Sequence, residues 1–240
     1  MKVLALDSSG LVASVAVVED DQLLAEYTVN YKKTHSQTLL PMLDEIATMI
    51  DLDLSSIDAI AVAAGPGSFT GLRIGSATGK GLALALDKKM VAIPTVDALA
   101  YNLYDCASLV CPIMDARRQQ VYTGIYEFNS HKLEILMQQT ALSVRDLAIK
   151  LNELGKEKKK KIIFLGDGVP VYKELLGEVI EVPYDFAPPH LNKQRAGAVA
   201  TLALDYIERG LLQDAADHHP DYLRPSQAER EREEKLKKKE

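Results

Sequence analysis

The chain has 240 residues, enough for one large core or for two lobes of about 120 each. Hydrophobic residues make up 47% and charged residues 26%, which excludes the disordered and fibrous classes. The balance of 28 Lys and Arg against 34 Asp and Glu gives a net charge of −6. That excludes a protein that grips nucleic acid by bulk charge and leaves room for a local basic patch.

The first apolar run, Val3 to Leu6, is cut off by Asp7, too soon for a signal peptide. No run approaches the ~18 apolar residues of a membrane span, so a cytoplasmic protein without membrane contact is expected. Cys106 and Cys111 give no disulfide framework and read as free thiols of a reducing compartment.

In chain order, residues 3–7 predict a strand closed by the turn Asp7-Ser8-Ser9-Gly10, and residues 14–18 and 23–29 predict two more strands. From Ser36 to Ile50 the apolar period lengthens to three and four residues, which predicts an amphipathic helix. Residues 57–64 are continuously apolar, as in a strand buried on both faces. Gly65-Pro66-Gly67 ends that strand, Ser68 or Thr70 caps the next helix, and the helix runs to about Leu86. A strand over 90–93 and a helix over 96–104 complete the first half. The second half repeats the plan: strands over 108–116, 121–128 and 133–138, a helix over 144–154, a strand over 161–165, a turn leading toward a helix, and a helix over 195–209. Strands alternating with helices, twice, define an α/β chain of two related lobes. The boundaries expected are 1–104 for the first lobe, 105–214 for the second and 215–240 for a terminal segment with a charged tail.

The helix after Gly67 carries Gly71, Gly75, Gly79 and Ala83 at four-residue spacing, with Gly81 besides. Each interior Gly disfavours a helix by about 1 kcal/mol relative to Ala, so close approach of another element must offset the loss. That element lies in the same lobe or in another subunit. The preceding helix is apolar over more than one stripe, and surplus apolar surface points to a protein contact unless one lobe buries it all. Asp7-Ser8-Ser9-Gly10 and its second-half counterpart at Asp115 read as plain turns or as phosphate-contacting turns. Gly166 and Gly168 let a backbone approach a flat ligand, or merely turn sharply. Residues 156–161 hold five lysines and read as a solvated loop or as an RNA phosphate contact. No paired histidine motif or nucleophile elbow is present, so neither a metal site nor serine hydrolase chemistry is expected.

Together, Leu4-Ala5-Leu6-Asp7-Ser8-Ser9, His35-Ser36-Gln37-Thr38-Leu39-Leu40-Pro41 and Gly65-Pro66-Gly67-Ser68-Phe69-Thr70-Gly71-Leu72-Arg73-Ile74-Gly75 resemble the TsaB (YeaZ) family. Asp115-Ala116-Arg117-Arg118 and Gly166-Asp167-Gly168 fit the same family. The resemblance implies an actin-like, sugar-kinase-like (ASKHA) fold of two lobes, each a mixed sheet flanked by helices. It implies a non-catalytic subunit in making N6-threonylcarbamoyladenosine at position 37 of tRNAs that read codons beginning with A. Its partners would be the transferase TsaD and the ATPase TsaE, with tRNA met only through the complex and a homodimer formed through the same helices when the partner is absent.

On that resemblance the partner interface is expected at His35, Leu39, Leu40, Leu43 and Ile46 of the first helix. The second helix would add Thr70, Gly71, Arg73, Ile74, Gly75, Thr78 and Gly79. Thr95 and Leu99 fall where the transferase carries its two metal-binding histidines, so no metal is expected. No cofactor is expected beyond weak binding of ATP or ADP through Asp7, Ser8, Asp115, Gly166 and Gly168. The alternatives are an ATP-dependent small-molecule phosphotransferase, using Asp7, Asp115 and Gly166-Asp167-Gly168 around ATP, and a peptidase.

Overall fold

The structure is a computed structural model that describes residues 1–31 and 34–224. The charged run 226–240 lies outside the described residues. The first lobe is built from β1 (Lys2–Asp7), β2 (Ala13–Glu19), β3 (Gln22–Val29), α1 (Leu39–Met49), β4 (Ala59–Gly65), α2 (Phe69–Leu86) and β5 (Lys89–Pro94). Then follow α3 (Thr95–Tyr101), β6 (Leu109–Asp115), β7 (Gln120–Asn129), β8 (Lys132–Ser143), α4 (Val144–Lys158), β9 (Ile162–Leu165), α5 (Val169–Val179), β10 (Tyr184–Phe186) and α6 (Ala196–Glu208). The first sheet has the order β3-β2-β1-β4-β5 and the second β8-β7-β6-β9-β10. In each, the first three strands run antiparallel and the last two are parallel to the first. The same order with the same polarity, twice, is the duplication that the pattern of elements predicts.

Strand alternation decides what each face of the first sheet receives. Val3, Ala5, Ala16, Ala59, Ala61 and Ala63 point to one side, where they meet Ala196, Val199, Ala200 and Ala203 of α6. Leu4, Leu6, Val15, Val17, Ile60 and Val62 point to the other, where they meet Leu39, Met42, Leu43 and Ile46 of α1 and Ala83 of α2. The alanine-rich face lets α6 sit close, and the leucine-rich face is covered by two helices side by side. Continuous apolar runs such as β4 are therefore buried on both sides, as expected.

The boundary at 214 needs correction. Helix α6 belongs to the core of the first lobe although it follows the second sheet in the chain. Gln213 pairs with Met90 and Ala215 joins the first core, so the chain is back on the first lobe before residue 214. Helix α3 is a wedge: Ala98 enters the first-lobe core, while Val96, Leu99 and Ala100 pack with Val110, Met114 and Tyr126 of the second. Apolar periodicity reports that a helix has a buried face, not which sheet buries it.

Smaller departures have local causes. Residues 35–37 form a 3-10 turn, so α1 begins at Leu39 rather than Ser36. Ser68 is the cap of α2, its Oγ accepting from the Gly71 N–H at 3.3 Å. The lysine run stays largely exposed, Lys156 and Lys158 finishing α4, and four of its five side chains reach acids of the same lobe. Lys158 and Lys160 both bond Glu127, Lys156 bonds Glu181 and Lys161 bonds Asp185. Cys106 and Cys111 are both free, and burial pushes the Cys111 thiol up to about 12. No helix among the described residues is long and apolar enough to cross a membrane.

Candidate functional site

The turn after β1 is docked against α2. The Ser8 hydroxyl donates to the Gly71 carbonyl at 2.8 Å, and the Ser68 N–H donates to the Ser9 carbonyl at 2.6 Å. A Cβ on Gly71 would lie 2.1 Å from Ser8 O, and one on Gly75 would lie 2.4 Å from Ser8 Oγ. Gly79 meets Val62 and Met90 in the same way. The element that offsets the helix cost of these glycines is thus the sheet and first turn of their own lobe. Asp7, buried behind that turn, accepts from the Ser9 N–H at 2.9 Å and the Ser9 hydroxyl at 2.6 Å. Burial raises its pKa from 3.8 to about 6, and the two Ser9 bonds only partly offset this. His35 Nε2–H donates to the Gly10 carbonyl at 2.8 Å, which ties the turn before α1 to the same loop.

These contacts correct the expected interface. Gly71, Gly75 and Gly79 are buried in the lobe, as are Leu39, Leu43 and Ile46 on α1, so these six have no face to offer a partner. Thr70 and Arg73 are exposed, Ile74 and Thr78 half-buried, and His35 is half-buried against Gly10. The outer side of α2 reads Thr70, Arg73, Ala77, Gly81 and Leu84, and that of α1 includes Leu40. Leu84 is 71% exposed, Leu40 53%, and Met49 at the end of α1 74%. Gly81 has nothing within 4 Å of where a Cβ would sit. Two adjacent helices thus turn leucines and small residues outward, while Met49, nine residues after Leu40, lies on the opposite flank of α1.

The lobes enclose a cleft of about 520 Å³ between the Gly10 loop, the Gly65–Thr70 segment and the end of β6. Of the five residues expected to touch nucleotide, only Asp115 lines it, beside Asp167. Asp115 accepts from the Arg117 N–H and the Tyr172 hydroxyl, each at 2.8 Å, and its own N–H donates to Asp167 at 3.2 Å. Burial raises the Asp167 pKa, with Lys193 opposing the rise. Asp7 and Ser8 are buried behind the loop, a correction to their expected role. Gly166 and Gly168 pack on the Ile113 carbonyl, so they make the sharp turn rather than a ligand floor. Gly166 needs its glycine, since its φ is +107°.

Thr95 and Leu99 are buried. The Thr95 hydroxyl accepts from the Gly65 N–H at 3.1 Å, and Leu99 packs toward Gly166. Sequence reasoning passed over Asp97 between them, whose carboxylate accepts from the Tyr126 hydroxyl at 2.6 Å inside the wedge. Burial raises the Asp97 pKa against the bonds from Tyr126 and Tyr206. The three residues come from α3, β7 and α6, so no local pattern could have joined them. Among the described residues no group of three or more His, Cys, Asp or Glu is arranged to hold a metal ion.

Two sheets of one topology, a wedge helix between them and a cleft at the ends of β1, β4 and β6 define a two-lobed actin-like, sugar-kinase-like protein. The family model described as "TsaD: tRNA N6-adenosine threonylcarbamoyltransferase" matches residues 22–232. The chain is 33% identical to the tRNA threonylcarbamoyladenosine biosynthesis protein TsaB of Bacillus subtilis, over 95% of this chain and 96% of that one. It is 35% identical to the Escherichia coli TsaB over 53% of this chain and 55% of that one. The solved structure of YeaZ from Pseudomonas aeruginosa superimposes with a TM-score of 0.77 at 28% identity, covering 92% of this chain and 99% of that one. The chain belongs to the TsaB (YeaZ) family.

Proposed function

We propose that this chain takes part in tRNA threonylcarbamoyladenosine biosynthesis as a non-catalytic subunit, holding the TsaD transferase through the outer face of α1 and α2. The observation that carries this reading is the exposure of Leu40 on α1 and of Leu84, with Ala77 and Gly81, on the adjacent α2. Small residues let a partner helix come close, and desolvating the two leucines drives the association. The modification concerned is that of adenosine 37, and the chain meets tRNA only through the complex. The TsaE ATPase joins that complex, and the lone chain pairs with itself through the same face.

A non-catalytic role is supported at the positions aligned with the transferase's histidines. Thr95 and Leu99 are spent on holding β4 and packing the wedge. The reading needs no cofactor, since Asp7 and Ser8 are used by the lobe itself. The phosphotransferase alternative has two of its five expected residues, Asp115 and Asp167, on the cleft, while Asp7, Gly166 and Gly168 are taken up by contacts within the lobes.

The test is Leu84→Asp. Its side chain is exposed, so folding stability should change by less than about 0.5 kcal/mol. Affinity for TsaD in gel filtration or calorimetry should fall by at least about tenfold, because a charge would enter an apolar contact. Unchanged affinity of a folded variant would refute the assigned face.

A further inference from the structure

The sequence segment Gly65 to Arg73 is the most distinctive of the chain, and docking the first turn explains only half of it. The other half meets the far end of the described chain. Residues 213–218 are fastened to the first lobe: Gln213 pairs with Met90, and the Lys80 ammonium donates to the His218 carbonyl at 2.7 Å. The chain then runs onto the cleft. The Asp221 N–H donates to the Ala64 carbonyl at 2.7 Å. Gly65 has φ +129°, and a Cβ there would lie 2.1 Å from the Asp221 carbonyl oxygen. The Tyr222 ring lies against Phe69 with centroids 4.7 Å apart, and Arg73 sits 4.0 Å over the other partner of the stack, Phe69, while its Nε donates to the Tyr222 hydroxyl at 3.3 Å. Gly65, Phe69 and Arg73 are thus one docking track for a segment that lies 149 residues beyond Arg73.

The same segment also grips the second lobe. Gln139 of β8 donates through Nε2 to the Asp221 carboxylate at 3.2 Å, and Arg224 Nη1 donates to the Ala116 carbonyl at 2.9 Å. Asp221 to Arg224 form one wall of the cleft. Two lobes joined by few crossovers hinge unless something else fixes them.

We propose that residues 221–224 are a strap that pins the two lobes at one closure across the cleft. Its anchors on the first lobe are the Ala64 carbonyl and the Phe69–Arg73 stack, and its anchors on the second are Gln139 and the Ala116 carbonyl. The strap makes the two lobes a rigid block, and it needs no partner, so it stands apart from the proposal of function. Releasing it would open the cleft while leaving each sheet intact.

The interlobe distance can be read between nitroxide labels on Asp21→Cys and Lys150→Cys, both exposed and off the α1–α2 face, in a Cys106→Ser background diluted with unlabelled protein. The strapped protein should give one narrow distribution. Tyr222→Ala with Arg224→Ala should lengthen the mean distance and broaden the distribution by about twofold, with circular dichroism unchanged. Tyr222→Phe, which keeps the ring stack, should stay close to the parent. If the double variant does not fold, Arg224→Ala alone removes only the bond to Ala116 and should broaden the distribution by itself. A double variant, or in its place Arg224→Ala, whose distribution superimposes on the parent would overturn the proposal.

Discussion

In the first lobe the aspartate that closes β1, Asp7, is buried behind a turn clamped by Gly67, Gly71 and Gly75. In the second lobe the aspartate that closes β6, Asp115, stands at the cleft and receives the Tyr172 hydroxyl. Both lobes follow their fourth strand with a Gly-x-Gly turn: Gly65 and Gly67 in one, Gly166 and Gly168 in the other, the first of each pair with positive φ. The second glycines press on neighbouring parts of the two plans, Gly67 on Ser9 in the turn after β1 and Gly168 on Ile113 near the end of β6. What differs is the helix that follows. Helix α2 is glycine-lined and sinks against its turn, whereas α5 begins Val169-Pro170 and keeps Val171 56% exposed. The same backbone plan therefore yields one lobe sealed at its turn, with its helix's other side exposed, and one lobe whose aspartate faces the cleft.

The largest expected effect breaks the seal of the first lobe. Gly75→Leu drives a side chain into Ser8 and should cost more than about 4 kcal/mol in urea unfolding. Gly81→Ala, on the open side of the same helix, should instead be accepted without loss. A Gly75→Leu protein as stable as the parent would mean that α2 does not sit on its own turn.

Next comes the buried carboxyl. Because the folded pKa of Asp7, about 6, lies above the ordinary 3.8, its contribution to stability is complete below about pH 4 and is lost as the pH rises to about 6. Two pKa units correspond to about 3 kcal/mol, so Asp7→Asn should stabilise the protein at pH 7 by up to about that amount. It should also flatten the stability profile between pH 4 and 6. A profile unchanged by the substitution would contradict the burial of a charged Asp7, while Asp115→Asn serves as the second-lobe comparison.

Much of this was legible in the residues. The continuous apolar run of β4 and the three-and-four spacing of α1 read directly as a doubly buried strand and an amphipathic helix. The glycine stripe of α2 read correctly as a close approach, but a stripe of small residues does not say what approaches, and the answer was Ser8 and Met90 of the same lobe. Strand β10 has three residues, too few for any period to register. Placement of α6 on the first sheet, the Asp97 contacts and the track that receives Tyr222 all join residues far apart in the chain. Only the folded chain brings them together. At the candidate interface, the resemblance offers Leu39, Leu43 and Ile46 to the partner together with Leu40. The sheet beneath claims the three that share its side.

The outer side of α1 and α2, proposed as the face that the first lobe offers to its partner, can be probed directly. Hydroxyl-radical footprinting of the chain alone and with TsaD reads this at individual side chains. Leu40 and Leu84 should lose reactivity in the complex, while the comparably exposed Ile149 and Val171 of the second lobe keep theirs. Protection of Ile149 and Val171 with Leu40 and Leu84 still reactive would contradict that assignment.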